Sequence, residues 1–110
     1  MKATTTSANA VSKFSKQFTI VVGIYDAKTQ IYRTSVATEV VCRTPWSAEN
    51  LALVRAKQFA TREFAMPYFC KKYGLSEWQF RDLHADEEIR PLESFTFKVE
   101  SVEVTECQTR

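Results

Sequence analysis

Residues 17–26 (Gln-Phe-Thr-Ile-Val-Val-Gly-Ile-Tyr-Asp) constrain the fold more than any other stretch of this chain. They are rich in β-branched and aromatic residues and read as a strand. Successive side chains of a strand point to opposite faces. Phe18, Ile20, Val22 and Ile24 therefore share one face, while Val21 and Tyr25 stand on the other. Apolar pressure on both faces places this strand in the middle of a sheet.

Its neighbours follow from the same periodicity. After a polar break at Asp26–Gln30, residues 31–43 alternate. Tyr32, Thr34, Val36, Thr38, Val40 and Cys42 share a face, and Arg33, Ser35, Glu39 and Arg43 lie on the other, as in a half-buried strand. Residues 94–106 form a third strand, with Phe95, Phe97 and Val99 in phase. Val102 and Val104 fall out of phase, so they are expected on the opposite face after a bulge near Glu100 and Ser101.

Between the second and third strands the pattern turns helical. Thr44 is a helix cap, with Ser47 as a rival, and Pro45 suits the first helical position because its missing N–H is not needed there. Ala52, Leu53, Ala56, Phe59, Ala60 and Phe64 fall on one arc of a helix running to about Ala65. Pro67 crowds the Glu63 carbonyl and pushes Met66 from helical angles, so the helix is expected to kink or break there. A short helix then runs to Tyr73 and stops at Gly74, with Lys71 and Lys72 at the negative end of its dipole. Ser76 to Gln79 is a capping-box pattern opening another short helix to about His84, and an acidic loop follows to Leu92.

The sequence thus predicts an α+β fold: a three-stranded antiparallel sheet of ββαβ order, arranged 2-1-3, with one long helix on one face and short helices after Pro67. The uncovered face would show Val21, Tyr25, Ile31, Val41, Val102 and Val104, more than a monomer usually leaves in water. The expected organisation is a basic tail over residues 1–16, one domain over 17–106 and a loose terminus over 107–110.

The charge is sorted along the chain. Residues 1–75 hold eleven Lys/Arg against four Asp/Glu, a net of +7; residues 76–110 hold four against nine, a net of −5. The overall +2 hides two opposed fields. No run approaches the roughly 20 apolar residues that span a bilayer, and the first residues lack a secretory apolar core. Cys42, Cys70 and Cys107 are odd in number and not spaced as metal ligands, which suits a reduced, cytoplasmic protein. No glycine-rich phosphate loop or nucleophile elbow can be built from Gly23 and Gly74. The one cluster with metal-ligand residue types, His84 with Asp86, Glu87 and Glu88, has no second histidine and no nucleophile beside it. The expectation is a non-catalytic chain without metal or small-molecule cofactor and without a membrane partner.

Two surfaces stand out. On the helix, Leu51, Val54, Arg55, Gln58 and Arg62 lie away from the core arc, a composition found at protein interfaces. With the acidic turn Asp86–Glu88 they form complementary patches, which points to a protein partner and to a homo-oligomer. The alternative is a single-stranded nucleic-acid platform on which Tyr25 stacks bases while Arg33 and Arg43 hold phosphates. At least one of Trp46 and Trp78 is expected to pad an end of the core, the alternative for Trp78 being a partner anchor beside Phe80. Small size and a polar tail give the profile of an accessory protein of the bacterial or phage kind.

Overall fold

A computed structural model describes residues 15–106. The expectations for the tail and the last four residues lie outside these, apart from Ser15 and Lys16, and Lys16 opens the first strand. The elements are β1 (Lys16–Asp26), β2 (Tyr32–Cys42), α1 (Pro45–Ala60), a π-helical turn (Thr61–Ala65), α2 (Met66–Tyr73), α3 (Glu77–Ala85), a 3-10 turn (Pro91–Ser94) and β3 (Phe95–Glu106). The sheet is antiparallel in the order β2-β1-β3, so the two-sided strand is central.

Phe18, Ile20, Val22 and Ile24 are at most 1% exposed beneath α1. Ala48, Ala52, Ala56 and Ala60 recur every fourth residue and are fully buried, the first three packed against Phe18, Ile20 and Val22. Small side chains let the helix backbone approach the sheet closely, and interior packing of this density leaves few voids. Burying each large apolar side chain contributes about 1.5–3 kcal/mol.

The helix ends obey local chemistry. The Thr44 side chain accepts the Ser47 N–H at 3.2 Å, and Pro45 opens the helix. Gly74 sits at φ +64°, and the Leu75 N–H reaches back to the Cys70 carbonyl at 2.9 Å. Ser76 and Gln79 form a full capping box.

The expected break at Pro67 does not occur. Met66 stays helical at φ −60°, ψ −49°, and donates its N–H to the Thr61 carbonyl five residues back. The wider π turn inserts one extra residue before Pro67 and relieves the crowding its ring would impose on an α-helical turn. The result is one continuous helical rod from Pro45 to Tyr73, 29 residues long.

Two bulges revise the expected faces. One lies between Ile24 and Tyr25 of β1: Thr34 pairs with Ile24, yet Tyr32 pairs with Tyr25. Tyr32 therefore sits on the open face, packed edge-on to Tyr25 with ring centroids 5.7 Å apart. Arg33, the extra residue, turns to the helix side, its guanidinium over Phe64. The second bulge falls at Glu100, so Val102 pairs with Ile20 and Val104 with Phe18. Both valines thus lie on the helix side of the sheet, contrary to expectation, although they stay 37% and 49% exposed. Glu100 instead lies over Gly23, where any Cβ would collide with its carboxylate, and accepts a hydrogen bond from the Tyr25 hydroxyl.

Candidate functional site

The protein-binding set read from the sequence is divided by the structure. Val54, Gln58 and Arg62 line a groove of about 500 Å³ between the long helix and α3. Met66, Phe80 and Leu92 supply its apolar surface, while Lys57, Arg62 and Arg81 carry its charge. No carboxylate is among the lining side chains. Arg62 pairs with its neighbour Glu63 at 3.2 Å, and Arg81 with Glu77 at 3.7 Å. Exposed pairs of this kind contribute about 0–1 kcal/mol and leave the cations open to competition. His84 packs against Phe80 with ring centroids 5.7 Å apart.

Leu51 and Arg55 do not line this groove. Arg55 turns toward the sheet and donates to the Glu39 carbonyl of β2 at 3.5 Å. Helix geometry explains the split. Positions 51, 55 and 62 share one stripe, but only the part of the rod that α3 faces acquires a second wall, and sequence spacing does not say where α3 returns.

Asp86, Glu87 and Glu88 form the turn that ends α3. The Glu88 N–H donates to the Leu83 carbonyl and the Glu87 N–H to the His84 carbonyl, so the helix closes as a Schellman motif. Glu87 takes the left-handed position at φ +63°, where glycine is usual. All three acids are exposed.

The opposed charges do not neutralise one another through ion pairs. Among the described residues three ion pairs occur, Arg62–Glu63, Arg81–Glu77 and Arg90–Glu93, each within four residues of sequence. None joins the basic helical rod to the acidic turn. Both fields therefore face outward.

The nucleic-acid set is not assembled on one surface. Tyr25 is on the open face and is engaged by Glu100, with Lys98 Nζ 4.8 Å above its ring. The Glu100 hydrogen bond, reinforced by its negative charge, holds the Tyr25 hydroxyl above its ordinary pKa. Arg33 points to the helix side. Arg43 follows the other end of β2, about 33 Å away at roughly 3.3 Å per residue. The tryptophans also depart from expectation: Trp46 is 75% and Trp78 77% exposed, so neither pads the core.

Among the described residues, no three His, Cys, Asp or Glu side chains gather as a metal site. Cys42 and Cys70 are free thiols, each half-buried. No helix there is long and apolar enough to cross a membrane. Comparison with protein-family models, with curated proteins and with solved structures yields no match.

Proposed function

We propose that this chain is a small protein-binding module that acts by contact rather than by catalysis, and that it binds a second copy of itself. The observation that carries this reading is the groove between the long helix and α3: apolar within, rimmed by Lys57, Arg62 and Arg81, and lined by no acid. Such a surface fits an acidic segment with apolar neighbours. The chain carries one. Asp86–Glu88 begins where the groove wall α3 ends. Because the two patches adjoin, a two-fold axis beside α3 sets each acidic turn against the other copy's groove. The exposed Trp46 and Trp78 add the large aromatic surface typical of interface anchors.

Light scattering over a range of concentration and salt tests this. The expected result is a dimer at low salt that dissociates as salt screens the exposed charges. Arg62→Glu with Arg81→Glu should abolish it, and mixing that variant with Glu87→Lys/Glu88→Lys should restore a heterodimer. A chain that stays monomeric at high micromolar concentration and low salt overturns the reading.

A further inference from the structure

A second hollow shares no lining residue with the groove. It is a cleft of about 400 Å³ where α2 crosses the sheet end at which β1 stops and β2 and β3 start. Small-molecule sites are commonly about 300–1,000 Å³, mostly apolar, with a few convergent polar groups. This cleft has that make-up. Phe64, Tyr68 and Phe95 line it with aromatic rings, and Arg33 and Lys72 bring two positive charges.

Neither cation has a carboxylate partner among the described residues. Aromatic rings hold both instead. The Arg33 guanidinium lies 5.0 Å from the Phe64 centroid and 5.8 Å from that of Phe95. Lys72 Nζ lies 5.4 Å from the Tyr68 centroid and 5.3 Å from that of Tyr73. Cation–π contact orients such groups without cancelling their charge. Asp26 is the single acid in the lining: its Oδ1 accepts the N–H groups of Lys28 and Thr29, each at 2.9 Å, and its charge offsets part of that of the nearby Arg33, so the two cations outweigh it by one.

Arg33 reaches the cleft only because of the bulge opposite Ile24 and Tyr25. An unbroken alternation would send it to the open face. Bulges recur beside functional sites, where they re-aim a side chain. The guanidinium fork then matches the oxygens of a carboxylate or phosphate, while the rings stack on a flat body.

We propose that this cleft binds a small planar anion: an aromatic ring bearing a phosphate or carboxylate, no larger than a mononucleotide. The test is titration of the full chain, followed by NMR or calorimetry, with AMP, benzoate, adenosine and inorganic phosphate. Saturable binding of AMP identifies the phosphate form, and of benzoate alone the carboxylate form. Arg33→Ala should weaken binding about 10- to 100-fold, and Lys72→Ala by about tenfold. Both residues are exposed, so folding should persist, and an unchanged circular-dichroism melt confirms it. Four results overturn the proposal: no saturation by about 10 mM, adenosine binding as well as AMP, phosphate binding as well as AMP, or affinities unchanged in both variants.

Discussion

The two ends of the long helical rod meet the sheet differently. Over α1 the buried contact is made by Ala48, Ala52 and Ala56, with Leu53, against Phe18, Ile20 and Val22, and the one charge that reaches the sheet, Arg55, does so at its exposed margin on the Glu39 carbonyl. Past Ala60 the π turn interrupts the alanine spacing, and, Ala65 apart, phenylalanines and tyrosines take over the packing. Phe64 meets Phe95 at 5.7 Å between centroids, Phe69 stacks on Tyr73 at 5.8 Å, and Arg33 joins the cluster. Large flat rings hold the backbones apart and leave gaps between them, so the cleft opens here. One end is built for stability. The other keeps an open cleft with two cations in its lining.

Substitutions can break that division. Phe18→Ala, at the alanine end, should cost about 3–5 kcal/mol in chemical denaturation. Phe95→Ala, half-exposed at the aromatic end, should cost about 1–2 kcal/mol by loss of burial alone. Equal costs would refute the contrast. Ala52→Leu should be next, at about 1–3 kcal/mol, because the close approach leaves no space for added methylenes. A neutral result would show a looser contact than the alanine stripe implies.

Smaller effects sharpen the comparison within the helical region. Gly74→Ala should destabilise by about 1 kcal/mol, since a Cβ is strained at its positive φ although open space surrounds it. Glu87→Gly should stabilise by about 0.5 kcal/mol for the converse reason, read as a small rise in melting temperature. The smallest effect concerns pH. Backbone N–H donation from Thr29, with that from Lys28, holds the Asp26 carboxyl below its ordinary range, and the nearby Arg33 charge adds to this. A carboxyl lowered on folding stabilises the fold above its unfolded pKa, and that contribution is lost as pH falls through the lowered value. Asp26→Asn should therefore flatten the acid side of the stability curve below about pH 4 and leave the curve above pH 6 parallel to the parent.

The legible parts of this fold were those written in short-range chemistry. The central strand, the Thr44 cap, the Gly74 stop and the Ser76–Gln79 box each depend on residues within about four positions of one another, and each formed as read. So did the sheet order, because only the middle position satisfies a strand apolar on both faces. The candidate sites were legible in part. Val54, Gln58 and Arg62 were visible as a stripe off the core arc, and Phe80 as a neighbour of the Trp78 anchor, but Met66, Arg81 and Leu92, which complete the groove, carried no signal of their own. Arg33 was singled out with the wrong companions, because strict alternation placed it beside Tyr25.

The sequence by itself determined which segments are strands and helices, their ends wherever a local cap or stop marks them, and which strand lies inside. Only the tertiary structure decided where alternation slips. The bulge at Glu100 joins it to Tyr25 across 75 residues, and the bulge at Arg33 sends that side chain to the helix side. Pro67 likewise sits within a continuous rod because the π turn before it absorbs the crowding. Periodicity is a local property of the backbone. The side chosen at a bulge, or the fate of a proline, is set by what packs on it from far along the chain.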